Sequence, residues 1–96
     1  MHNPPHPGKK IRETNIDPFD ISIRSMAYNL GVASSTLARV VAERSAVSPE
    51  MALRLSKALG RSPESWLAMQ DNYDLWQAKK SANLSSVQKM QFAANA

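Results

Sequence analysis

Residues 22–41, SIRSMAYNLGVASSTLARVV, constrain this chain more than any other part of it. Ser22 is a suitable N-cap, and Ile23, Met26, Ala27 and Leu30 follow at helical spacing. Gly31 then interrupts the pattern, and Leu37 and Val40 resume it. A tight turn between two helices needs a residue with positive φ, which glycine adopts without steric cost. Ala27, four residues before the glycine, is small enough for the two helices to cross closely. Met26, Ala27, Gly31, Val32, Leu37 and Val40 together define a helix-turn-helix, with the second helix expected from about Ser34 to Ala42.

Prolines and glycines elsewhere serve as punctuation. The leader HNPPHPG is expected to be extended, because each proline fixes its own φ and biases the residue before it away from helix. A first short helix is predicted from Gly8 to about Ile16, anchored by Ile11 and broken by Asp17-Pro18-Phe19. Ser48-Pro49-Glu50 and Ser62-Pro63-Glu64 each supply a capping hydroxyl, a proline at the first helical position and an acid at the positive end of the dipole. The fourth helix turns Met51, Ala52, Leu55 and Leu59 inward and ends at Gly60. The fifth, from Pro63 to about Lys80, carries Trp66, Met69, Tyr73 and Trp76 along one stripe. No segment alternates with period two. The expected architecture is all-α: a compact five-helix domain with a helix-turn-helix and a long C-terminal helix. Residues 1–7 read as a leader, 8–80 as the domain and 81–96 as a polar tail. Leu84, Val87 and Met90 share one weak helical face there, so the tail reads either as a sixth short helix or as an extension.

At 96 residues the chain has room for one hydrophobic core. Lysine and arginine outnumber aspartate and glutamate by twelve to eight, a net charge of +4 that favours polyanionic partners. There is no cysteine, hence no disulfide framework or thiolate metal site. No run approaches the roughly 18 apolar residues of a membrane span. The first residues also lack the apolar stretch of a secretory signal. These features suggest a cytoplasmic protein without a membrane partner. No catalytic constellation or phosphate-cradling loop is present, and the only histidines, His2 and His6, stand in the leader. No enzyme, cofactor or metal site is expected.

The second helix of a helix-turn-helix can enter the major groove with its first residues against base edges. Small side chains there let the backbone approach. Ser34, Ser35 and Thr36 offer hydroxyls to bases or phosphates, and the threonine methyl suits thymine. Arg39 can bind guanine O6 and N7 in a bidentate pair, worth roughly 1–3 kcal/mol of discrimination. Arg24, Ser25 and Arg44 are candidate phosphate contacts, which set register without reading sequence. The three hydroxyls suit helix capping equally well, and helix-turn-helix units also occur in adaptors that bind only protein.

From HPGKKIRE through SPESWLAMQDNYDLWQAKK, the sequence resembles the HigA-type antitoxins, within the lambda-repressor-like helix-turn-helix regulators. The matching signposts are His6-Pro7-Gly8, Ser22-Ile23-Arg24, LGVASSTLARV, Ser48-Pro49-Glu50-Met51-Ala52, Ser62-Pro63-Glu64-Ser65-Trp66-Leu67 and Gln70-Asp71-Asn72-Tyr73-Asp74-Leu75-Trp76. The last two are the most specific, since reading DNA requires neither. The resemblance implies a homodimer that neutralises a cognate mRNA-cleaving ribonuclease toxin and represses its own operon from a palindromic operator. It also implies dimer contacts around Tyr73, Leu75 and Trp76. Two tryptophans on one helix of so small a domain point the same way, because burying both crowds the core. A helix-turn-helix regulator without a toxin, or an adaptor without DNA, is the competing expectation. The chain departs from the family pattern at Ala42-Glu43, where relatives carry Asn-Gly. A left-handed turn at a non-glycine residue costs about 1 kcal/mol. Lys9, Asn15 and Asp20 also depart, so the first helix is expected to be less regular than in relatives.

Overall fold

The computed structural model describes residues 3–93, and His2 lies outside them. Five α-helices form the protein: α1 (Pro7–Ile11), α2 (Ile23–Leu30), α3 (Ser34–Val41), α4 (Pro49–Leu59) and α5 (Pro63–Ser81). No strand occurs among the described residues. Helix α1 does not stop at Ile11. It widens into a π-helical turn over Arg12–Ile16, tightens into a 3₁₀ turn over Asp17–Phe19, and ends at Asp20, which is left-handed at φ 54°. The first helix therefore covers the expected span but is regular α-helix only in its first half. The π turn keeps both Ile11 and Ile16 buried.

Local capping explains the helix starts. Ser22 Oγ accepts from the Ser25 amide at 3.0 Å, Ser48 Oγ from Met51 at 3.1 Å and Ser62 Oγ from Ser65 at 3.0 Å. Gly31 ends α2 in the left-handed region at φ 72°. Helix α1 is capped in a way not anticipated from its residues: the Nδ1 of His6 accepts from the Gly8 amide at 2.9 Å. His6 and Pro7 were expected in an extended leader. Instead both are buried, Pro7 at the first turn of α1. The fixed φ of proline suits a first helical position as well as an extended chain, so composition alone did not separate the two outcomes.

The core gathers Ile11, Ile16, Met26, Ala27, Leu30, Leu37, Val40, Val41, Val47, Met51, Ala52, Leu55 and Trp66. Helix α4 packs on α5, α2 on α3, and α1 crosses α3. That last crossing is very close. A methyl group at Gly8 would overlap the Val40 carbonyl oxygen, so the absence of a side chain there sets the distance between the helices. Along α5 the aromatic stripe sinks deepest at Trp66, whose indole N–H donates to the Gly60 carbonyl at 3.0 Å. Tyr73 and Trp76 are only half-buried further along. Beyond α5 the described tail forms no sixth helix. Ala82 is extended, and a turn follows in which the Val87 amide donates to the Leu84 carbonyl at 2.9 Å.

Candidate nucleic-acid interface

Helix α3 divides cleanly into two faces. Leu37, Val40 and Val41 are buried, while Ser34, Ser35, Ala38 and Arg39 are exposed and Thr36 is half-buried at the flank. The outward surface is thus small and hydroxyl-bearing, with one guanidinium a turn beyond Ser35. Capping does not occupy the hydroxyls. The N-cap of α3 is Ala33, with no side-chain hydrogen bond, whereas α1, α2, α4 and α5 are each capped by a side chain. The Thr36 and Leu37 amides bond to the Ala33 carbonyl at 3.1 and 3.2 Å. The start of α3 is left for an external acceptor, and the positive end of its dipole favours an anion.

Arg24 and Ser25 lie exposed in the first turn of α2. Arg44 is exposed just past α3, held there by its own amide, which donates to the Arg39 carbonyl at 2.8 Å. No ion pair among the described residues engages Arg24, Arg39 or Arg44. These three cations therefore keep their charge available to a polyanion. Glu43 takes the left-handed conformation at φ 66°. Its carboxylate lies 3.9 Å from the Arg12 guanidinium, which draws the acid toward the body of the domain.

Three positioning residues escaped the sequence reading. Arg54 Nη1, on α4, donates to the Leu30 carbonyl at 2.9 Å and to Gly31 at 3.3 Å, and Nη2 donates to Glu50 at 2.9 Å. This guanidinium satisfies the end of α2 and clamps the turn that aims α3. Arg12 Nη1 does the same at the other end of α3, donating to the Val41 carbonyl at 2.9 Å. Gln70, buried on α5, accepts from the Val47 amide at 2.9 Å and donates to Asp74 at 2.9 Å, pinning the loop between α3 and α4. Of these contacts the Glu50–Arg54 and Gln70–Asp74 pairs, each at i and i+4 on one helix, had a signal in the sequence.

His6 stands behind this assembly. Its ring meets Tyr73 edge-on at 4.9 Å between centroids. Burial holds its pKa below the ordinary 6.5, although the Glu43 and Asp74 carboxylates and the Ser45 backbone favour the proton. The imidazole is thus kept neutral, as its role as acceptor for Gly8 requires. Tyr73 continues into Trp76 at 6.1 Å, and Lys80 Nζ lies 4.1 Å over the Trp76 ring. Leu75 is 56% exposed.

This arrangement is a helix-turn-helix in its parts, and the chain belongs to the helix-turn-helix family, whose model matches residues 9–66. Its structural neighbours include antitoxins. The fold superimposes on antitoxin GraA with a TM-score of 0.84 at 35% identity, covering 97% of this chain and 100% of that one. The Pseudomonas aeruginosa antitoxin HigA, solved with the higBA promoter, matches with a TM-score of 0.76 at 34% identity, over 80% of this chain and 84% of that one. In sequence the chain is 36% identical over 90 residues to the HTH-type transcriptional regulator YddM of Escherichia coli (strain K12), spanning 94% of this chain and 95% of the relative. The all-α architecture and the HigA-type resemblance are both upheld. Among the described residues, no helix is long and apolar enough to cross a membrane.

Proposed function

We propose that this protein is an antitoxin that represses its own operon as a dimer, reading a palindromic operator with α3, and that it neutralises a cognate ribonuclease toxin. The observation that carries the reading is the outer face of α3: an uncapped helix start, exposed Ser34 and Ser35, and an unpaired, exposed Arg39 on a helix held from both ends by Arg54 and Arg12. Arg39 reads bases, Ser34, Ser35 and Thr36 follow the groove wall, and Arg24, Ser25 and Arg44 hold phosphates. The HigA neighbour solved with the higBA promoter supports promoter DNA as the partner. Dimerisation uses Tyr73, Leu75 and Trp76 on α5, and sets two α3 helices about 34 Å apart, one turn of DNA. The toxin is assigned from kinship with antitoxins alone.

The test is fluorescence anisotropy with a duplex from the protein's own promoter. The logarithm of affinity should fall linearly with the logarithm of salt, by about 0.9 per neutralised phosphate. Arg39→Ala should relax sequence preference roughly ten- to hundred-fold, and Arg44→Ala should weaken all duplexes alike. Absence of duplex affinity at about 50 mM salt would replace this reading with a protein-only adaptor. Co-purification with the product of the neighbouring reading frame tests the toxin half.

A further inference from the structure

The described tail carries a run of four exposed apolar side chains. Leu84 is 68% exposed, Val87 67%, Met90 67% and Phe92 81%. Every described residue from Gln77 to position 93 is exposed, so nothing among the described residues covers them. The tail nonetheless has defined local structure. Asn83 Oδ1 accepts from the Ser85 amide at 3.0 Å, and the Val87 amide closes a turn onto the Leu84 carbonyl at 2.9 Å. The tail projects from the body, giving extents of 62 × 26 × 23 Å.

Charge along this end of the chain is segregated. Between Ser62 and Ala78 there are Glu64, Asp71 and Asp74 but no lysine or arginine, whereas from Leu75 to the end there are Lys79, Lys80 and Lys89 but no acid. A parallel α5 pair would set like charges together. An antiparallel pair centred between Leu75 and Trp76 places each basic end against an acidic half, since Asp71 and Lys80 are equally distant from that centre. In that pairing Ala82 falls opposite position 69, where half-buried Met69 borders the core-facing side of α5. Size argues in the same direction. The 19-residue α5 commits the side bearing Trp66 and Gln70 to the core, and a stable interface uses roughly 20–30 residues a side. Residues 82–93 supply what α5 lacks.

We propose that residues 82–93 are an exchange arm, which crosses onto a second copy of this chain and lays Leu84, Val87, Met90 and Phe92 along the acidic half of that copy's α5. The proposal rests on the dimer reading above and adds its second contact surface. Segregated charge along α5 sets the antiparallel pairing that brings the arm onto the second copy, and apolar burial makes the arm adhesive.

Sedimentation equilibrium over a dilution series tests it, with the full chain and a variant carrying Leu84→Ser, Val87→Ser, Met90→Ser and Phe92→Ser. All four positions are exposed, so the circular dichroism spectrum should be unchanged while the dimer dissociation constant rises at least tenfold. Since the chain has no cysteine, Ala68→Cys and Ser85→Cys chains can be mixed and treated with a short thiol-to-thiol crosslinker, and the 68–85 species should form between chains. A variant that dimerises like the parent overturns the arm, as does one that dimerises normally but loses duplex affinity, which would assign the tail to DNA. Leu75→Arg keeps the two readings apart. If it weakens the dimer and the arm variant does not, the arm fails and the α5 dimer stands. A parent chain monomeric at tens of micromolar removes both.

Discussion

Replacing Gly8 by alanine sets two physical effects against each other. Helix propensity favours alanine, by at most about 1 kcal/mol. Packing opposes it. The new methyl group would overlap the Val40 carbonyl oxygen and stand 2.8 Å from the Val40 carbonyl carbon and 3.0 Å from the Val41 Cα. All three are backbone atoms of α3, so no rotamer change relieves the clash, and α1 must lift away. Ile11 at 0% and Val40 at 2% exposure lie at that contact and lose packing with it. Overpacking of this kind costs about 3 kcal/mol, the upper part of its usual range. Subtracting the propensity gain leaves a net loss of about 2 kcal/mol. For a chain of this size that corresponds to a fall in Tm of roughly 8–16 °C. Urea unfolding followed by circular dichroism measures it directly. A Gly8→Ala protein as stable as the parent would refute the claim that backbone contact between α1 and α3 sets the position of the recognition helix.

Other perturbations have equally definite outcomes. Gly31→Ala places a side chain at φ 72° and a methyl group 2.9 Å from Arg54 Nη1. Moving that guanidinium loosens its bonds to the Leu30 and Gly31 carbonyls, so the loss should be at least the left-handed strain of about 1–2 kcal/mol, read by the same unfolding assay. Gln70→Ala leaves the buried Val47 amide without its acceptor and should cost about 1–3 kcal/mol, whereas exposed Gln77→Ala should be near neutral. His6 has its pKa lowered on folding, so the native state binds fewer protons than the unfolded chain. Its contribution to stability is present above pH 6.5 and is lost as pH falls through the lower folded value. Urea midpoints of the parent should therefore drop between about pH 7.5 and pH 5.5, and the non-titrating cap His6→Asn should flatten that part of the curve.

The helix starts at Ser22, Ser48 and Ser62, the turn at Gly31 and the inward positions of α3 and α4 were legible because each depends on residues within about one turn of itself. A hydroxyl caps the amide three residues on, and an apolar residue meets its neighbour at i+3 or i+4. The outward face of α3 followed as the complement of its apolar face. That Ala33 leaves this helix uncapped, so that its serines remain available, also rests on a short-range relation.

The long-range contacts were not legible. Arg54 reaches Leu30 across 24 residues, Arg12 reaches Val41 across 29, and Gln70 reaches Val47 across 23. Each satisfies a backbone group, and a backbone group looks alike in every residue, so no pattern of side chains announces the pairing. His6 illustrates the same point in reverse. In the row of residues it is one histidine among prolines, and only the closure of α1 over α3 and α5 makes it a buried cap facing Tyr73. Short-range chemistry settles where helices begin and which way they face. Which distant group relieves an unsatisfied carbonyl, and how near two backbones may come at Gly8, exist as quantities only once the helices have packed.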